Sequence, residues 1–490
     1  MQLFNFRQLA TRSALLLSLG LAVGACNKAV NVEPSNSISS GKGFTTKEDA
    51  AAGLLGAYDA AQSSDYDGLA YPSLAGLIAG EIRFVGTFTT TYGVVGQNQV
   101  LPDNIQIGNT WNAIYAGINR VNYLLQQSDN ISDPAFTTKL NIQAQARALR
   151  AFHYMNLLAF WGGTTQGYGY PDGLGVPLRL TPTTAIGPET ASIPRSSEAD
   201  VAKAIRADLD FAVANLSSGT GSRVTKSSAL ALRARFELRM RNYADALAFA
   251  KQVPATPNFA TADATGTTAP DALWQLFFSN TDQSQYAFYW YPSPGGRNEF
   301  DPGTTQAAAH PVGDRRRAIN VVTATTPITV GGVPYTLLPG TTQKYYRTAT
   351  RDDAFNVIRY AEMVLTVAEA AAQTGDLTTA LAQDNIIRVR AGLLPLVIGT
   401  PPTPAPATPV AVYITPTATD ATGQGALIKD ILLQRRLELA YEGVYWFDLR
   451  RTNTVQTTLP TYTQTFRNLF PIPLREIDVA NGLIVQNPLY

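Results

Sequence analysis

The chain has 490 residues, and 38 Lys plus Arg against 37 Asp plus Glu leave a net charge of +1. That balance lacks the basic footprint a nucleic-acid partner requires. Two histidines and one cysteine in the whole sequence leave almost nothing from which to build a His/Cys metal centre or a Cys–His nucleophile pair. No glycine-rich phosphate cradle or dinucleotide fingerprint occurs, so neither a metal nor a cofactor is expected.

The first element is an export leader. Arg7 and Arg12 precede an uncharged apolar run that includes Leu15, Leu16, Leu17, Leu19, Leu21 and Val23 and ends in Gly24-Ala25. A basic start, a short apolar stretch and small residues before the end define such a signal, and the run is shorter than the roughly 20 apolar residues of a spanning helix. "VGAC" resembles the bacterial lipobox, which makes Cys26, the only cysteine, the expected site of lipidation, since a lone cysteine has no internal disulfide partner. The expected organisation is a signal peptide over 1–25 and a polar, Ser-rich tether over 26–43. A helical part over 44–254, a loop-rich region over 255–355 and a C-terminal part over 356–490 follow. Helical periodicity predicts helices over 46–62, 111–127, 138–160, 197–215, 226–240, 243–253, 357–373, 377–391 and 425–443. Residues 399–424 are rich in Pro and Thr and read as an exposed loop.

An internal repeat appears at a shift of 134. Leu230 aligns with Val364, Ala234 with Ala368, Ala246 with Ala380 and Val253 with Ile387. Small residues at fixed places in paired amphipathic helices are the grammar of a tetratricopeptide hairpin. One hairpin cannot bury its own apolar face, so several must stack. The expected fold is mainly α: a superhelix of such hairpins carrying a loop-rich ligand face.

Taken in order, "WNAIYAGINRVNYLL", "AQARALRAFHYMNLLAFWGG", "GVPL", "RVTKSSALALRARFELRMRNYADAL", "VIRYAEMVLTVAEAAAQTGD", "LLQRRLELAYEGVYWFDLRR" and "LFPIPLREIDVANGLIVQNPLY" resemble the SusD/RagB family of Bacteroidetes outer-membrane lipoproteins. The resemblance implies a non-enzymatic, lipid-anchored protein of the outer membrane, facing the cell surface. It would capture an oligosaccharide, or a peptide, for a SusC-like TonB-dependent transporter. Two positions depart from the family pattern: Gln434 stands where Glu is frequent, and Tyr445 where Arg is frequent. Asn27 and Lys28 follow the cysteine where many surface-exposed relatives carry acids.

Three stretches hold candidate ligand residues. "QYAFYWYPSPGGRNEFDPG" reads as an extended, loop-forming segment with Tyr289 and Trp290 as stacking rings. "RFVGTFTTTYGVVGQNQ" adds Phe84, Tyr92 and Asn98. "GDRRR" offers Arg315 as a clamp or a further structural ion pair. Aromatic faces stack on the C–H surfaces of sugars, while amide and charged groups bond their hydroxyls. Glu438 and Glu442 could in principle serve glycoside hydrolysis, but with Arg435 three residues before Glu438 they read as a structural ion network. No catalytic residue is assigned. The rival readings are an outer-membrane glycoside hydrolase and a protein-binding repeat scaffold. His153, between Phe152 and Tyr154, reads as a packing residue.

Overall fold

Helix α1 (Lys47–Gln62) begins at a capping box: Asp49 N–H donates to Thr46 Oγ1 over 3.1 Å, and Thr46 N–H donates to Asp49 Oδ2 over 2.9 Å. These bonds satisfy donors that a helix start leaves open. The computed structural model describes residues 43–256, 259, 270–406 and 408–490; Cys26 and almost all of the tether lie outside them. Next come α2 (Ala70–Ile78), α3 (Ile105–Asn130), α4 (Lys139–Trp161), α5 (Glu198–Asn215), α6 (Lys226–Arg239) and α7 (Tyr243–Ala250). A short helix α8 (Tyr286–Trp290) interrupts the loop-rich part, and α9 (Tyr360–Gln373), α10 (Leu377–Arg390), α11 (Gln424–Glu438) and α12 (Tyr445–Arg451) follow before the C-terminal segment. The long helices stack as neighbours: α1 on α3, α3 on α4, α4 on α5, α5 on α6, α6 on α7, α7 on α9, and α9 on both α10 and α11. The protein is mainly α and tetratricopeptide-like.

The repeat is structural. α6 and α9 each span 14 residues and start 134 positions apart, and α7 and α10 start with the same offset. Both first helices end at a residue with positive φ, Arg241 at 62° and Gly375 at 88°. Around each, the same Schellman bonds form: Asn242 N–H to Glu237 O and Arg241 N–H to Leu238 O, then Asp376 N–H to Ala371 O and Gly375 N–H to Ala372 O. Ala234, Ala368, Ala246 and Ala380 are all fully buried, where the small side chain lets paired helices approach. Arg241 accepts the left-handed conformation that Gly375 adopts without strain. Its guanidinium donates to Tyr168 O and Gly169 O and covers the Tyr170 ring at 3.6 Å.

Among the described residues four two-stranded pairings form, and all but one join segments distant in sequence. β1 (Ile82–Phe84) pairs antiparallel with β3 (Phe300–Pro302), and β2 (Ala272–Leu276) with β6 (Phe355–Arg359). β4 (Thr326–Val330) and β5 (Val333–Leu337) form a hairpin. β7 (Leu396–Ile398) and β8 (Val412–Ile414) run parallel, so part of the Pro/Thr-rich stretch is ordered into a strand.

The C-terminal segment locks the superhelix. Arg450 donates to the carbonyls of Ala159, Gly162 and Thr164 at the end of α4, where a helix leaves acceptors unpaired and favours a cation. Asn487 Nδ2 donates to Trp161 O, and Trp161 Nε1 donates to Pro471 O. His153 is buried with Nδ1 3.1 Å from the Tyr66 hydroxyl, and burial lowers its pKa to about 3. A ring held neutral in the core is a packing residue.

Candidate ligand-binding site

The β1–β3 pairing brings two of the three candidate stretches together. Its register sets Phe84 opposite Phe300 and Arg83 opposite Asp301, the latter pair joined by a 2.5 Å ion pair. Beyond β1 the chain turns tightly over the buried carboxylate of Glu299, which accepts from Thr87 N–H (2.8 Å), Thr87 Oγ1 (3.0 Å) and Arg297 Nε (3.1 Å). Gly86 makes this possible, because a Cβ there would lie 1.8 Å from Glu299 Oε2. A π-helical turn, Thr89–Gly93, follows; such turns are frequent at functional sites. Asn104 fastens it to the scaffold. Its Oδ1 caps α3 by accepting from Gln106 and Ile107 N–H, while its Nδ2 donates to the carbonyls of Thr90 and Thr91.

On this frame the rings form one patch. Phe88 stacks on Tyr289 with centroids 6.3 Å apart and an interplanar angle of 21°. Tyr92 meets Tyr289 edge-on at 6.0 Å and Phe300 at 5.3 Å. The Arg297 guanidinium lies 4.2 Å above the Phe88 ring, and Arg351 lies 4.2 Å above Phe288. Phe84, Phe88, Phe288 and Tyr289 are each half-buried, so every one shows part of its surface to solvent. Partial burial raises the Tyr289 pKa, with Arg297 opposing, so its hydroxyl stays protonated at neutral pH and can both donate and accept.

The expected site residues separate here. Tyr289 and Phe84 stand in the patch. Trp290 does not: it is 1% exposed, wedged against Tyr441 at 4.9 Å with Phe300 and Tyr345 behind it. The reason is local. The expectation was an extended segment, but α8 is a helix turn, and residues i and i+4 of a helix share a face. Tyr286 and Trp290 therefore both point inward, leaving Phe288 and Tyr289 outward. Tyr92, 4% exposed, is the floor on which the patch packs and offers little surface to a ligand. Asn98, 5% exposed with φ 55°, is a turn residue following the π-helical turn. Arg315 is exposed but donates to Arg390 O at the end of α10 and packs on Gly392. In "GDRRR" the buried arginine is Arg316, paired with the equally buried Asp314. The candidate residues read from sequence omit Arg297, Glu299 and Phe288, although Phe288 belongs to the aromatic run itself. Their signal was a charged pair two residues apart beside a Pro- and Gly-rich turn, next to aromatics.

The acid pair at the end of α11 and in the turn after it, Glu438 and Glu442, is saturated. Arg359, 0% exposed, donates to Asp271 (3.0 Å), Glu438 Oε1 (3.2 Å) and Glu442 Oε2 (3.0 Å). Lys344 Nζ adds a 2.7 Å bond to Glu442, and Arg390 pairs with Glu438. Burial favours the neutral form of Glu438, but Arg390, Arg359 and Arg316 outweigh it and hold the carboxyl well below the usual range. Arg435 does not reach back to Glu438 as the helical spacing suggested; it pairs with Asp448 at 3.0 Å and approaches Glu369 at 3.7 Å. At the departures from the family pattern, Gln434 accepts from Arg316 over 2.6 Å, and Tyr445 lies under the Arg436 guanidinium at 4.7 Å.

Stacked helical hairpins carrying a loop-built patch of half-exposed rings define the class: a tetratricopeptide-like scaffold with an aromatic face. The family model described as "SusD family" matches residues 277–490, and one described as "Starch-binding associating with outer membrane" matches 43–238. The chain belongs to the SusD/RagB family. It is 26% identical to "SusD-like protein P38" of Formosa agariphila over 99% of this chain and 100% of that protein. A SusD superfamily protein from Bacteroides vulgatus superimposes with a TM-score of 0.68 at 20% identity, covering 91% of this chain and 99% of that one. A "Laminarin binding SusD-like protein" superimposes with a TM-score of 0.67 at 19% identity, covering 91% and 100%.

Proposed function

We propose that this protein is a non-enzymatic outer-membrane lipoprotein that captures an oligosaccharide on its aromatic patch and passes it to a TonB-dependent barrel transporter. The observation that carries the reading is the convergence of Phe84, Phe88, Phe288 and Tyr289, half-exposed and rimmed by Arg297 and Arg351. Rings of this kind stack on sugar C–H faces, and guanidinium groups bond hydroxyls. A laminarin-binding neighbour of the same fold supports a saccharide as the ligand. The saturated ion layer around Glu438 and Glu442 supports binding without hydrolysis, since a general acid needs a carboxyl free to give up a proton. Among the described residues no helix is long and apolar enough to cross a membrane. Lipid on Cys26 would supply the attachment, with more than one acyl chain needed for a stable anchor.

Calorimetry against a panel of neutral oligosaccharides that includes laminarihexaose tests the ligand class. Binding without release of shorter products is expected; cleavage of any member would restore the hydrolase reading. Replacing Cys26→Ala should release the protein from the membrane fraction, and retention there would remove the lipid anchor from the account. Co-purification of a barrel transporter with the tagged native protein tests the partner.

A further inference from the structure

A well-formed cavity lies away from the aromatic patch. A cleft of about 530 Å³ lies beside the middle of α3, between that helix, the loop 177–193 and the C-terminal turn 475–484. Its size falls within the range of small-molecule sites, roughly 300–1,000 Å³. Its α3 wall begins at Trp111 and Asn112, seven to eight residues past the Asn104 cap, or about 10–12 Å along the helix at 1.5 Å per residue.

The outer wall is fixed in place. Asn119 Nδ2 donates to Thr183 O (3.1 Å), and Asn119 Oδ1 accepts from Thr183 N–H (2.7 Å). Asn122 Nδ2 donates to Arg179 O (3.0 Å), and the Tyr115 hydroxyl donates to Pro177 O (2.8 Å). Arg179 spends its own donors on the carbonyls of Glu189 and Ala191. Bonds from Tyr115, Asn119 and Asn122 tie the loop to the helix face at three points, so the cleft is formed before any ligand arrives.

Other polar groups at the cleft have capacity left. The Asn112 and Thr181 side chains make no hydrogen bond to other described residues, and exposed Arg475 faces Glu476 without closing an ion pair. Glu476 is half-buried, and burial raises its pKa while Trp111 and Arg475 oppose. Between these groups lie the aliphatic surfaces of Ile118, Ile193, Val479 and Ile484. Amide, hydroxyl, guanidinium and carboxyl groups set among aliphatic patches match a ligand that alternates hydroxyls with C–H faces. A wholly apolar ligand would strand the polar groups, at a cost for each one buried unpaired.

We infer that the cleft formed by α3, the loop 177–193 and the C-terminal turn is a second saccharide-binding site, separate from the aromatic patch. The inference rests on the saccharide reading of the protein, and it adds a hydrogen-bonding site to a stacking one.

The test uses the full mature chain and the tightest-binding member of the neutral oligosaccharide panel. Calorimetry compares the wild type, Phe88→Ala/Tyr289→Ala, and the same double variant carrying Asn112→Ala and Arg475→Ala, each checked by circular dichroism. The aromatic double variant should retain binding at least tenfold weaker than the wild type, and the added cleft substitutions should abolish what remains. If the aromatic double variant loses all binding, or its residual binding ignores the cleft substitutions, the second site is overturned while the main reading stands. Residual binding of triglycine in place of the saccharide would overturn the ligand class of the cleft. A wild type that binds no saccharide would overturn both readings.

Discussion

Two regions of this protein gather aromatic and charged residues, and they do so in opposite ways. Around Arg359 the carboxylates are buried and saturated: three of them converge on one guanidinium, with Lys344 and Arg390 adding further donors. At the β1–β3 patch the rings are half-exposed and the cations sit at the rim, over ring faces. Burying charge is costly, and it persists only when every group is partnered. A saturated cluster has nothing left to offer a ligand, whereas a ring with one free face does. The density of chemically able residues therefore misleads; the capacity left unspent distinguishes the two.

The comparison breaks first at its buried end. Arg359→Met leaves Asp271, Glu438 and Glu442 short of their shared partner, and breaking such a pair costs about 3–5 kcal/mol. Denaturant unfolding should show that loss; a midpoint within error of the wild type would mean the layer is not structural. The hairpin repeat supplies a smaller effect of the same kind. Ala234→Leu and Ala368→Leu each overpack a fully buried helix contact, at about 1–3 kcal/mol. Thermal midpoints unchanged in both would count against equivalent packing.

Glu81 lies where the two regions meet, immediately before β1. Burial raises its pKa to about 8, with Arg436 and Lys344 opposing and Glu442 adding to the rise. The folded state therefore holds a proton that the unfolded chain, titrating near the ordinary Glu value of about 4.3, has released. This contribution to stability is complete below that value and is lost progressively as pH rises toward 8. Glu81→Gln should remove that loss, so the stability difference in favour of the variant grows from pH 5 to pH 8. A constant difference across that range would show that Glu81 titrates normally.

Much of the scaffold was legible in the sequence because helical periodicity is local. The predicted helices over 138–160 and 226–240 correspond to Lys139–Trp161 and Lys226–Arg239, and the 134-residue repeat survives down to its Schellman turns. Helix α2 left no amphipathic signal, because every residue of Ala70–Ile78 is buried and the stretch has no polar face. At the patch, composition gathered the aromatics into these loops but could not tell which rings face out. That depends on one helical turn at Tyr286–Trp290, which reverses the alternation an extended segment would have. The partners of Glu438 were illegible for another reason: Arg359, Arg390 and Arg316 come from three other elements, and helix spacing offers only neighbours such as Arg435.

The measurement that bears most directly on the account is calorimetric titration of Tyr289→Ala with the tightest-binding panel oligosaccharide, run beside thermal unfolding. Loss of a stacking anchor should weaken binding at least tenfold, about 1.4 kcal/mol or more, while the protein stays folded. A folded Tyr289→Ala variant with wild-type affinity would contradict the claim that the β1–β3 aromatic patch is the binding face.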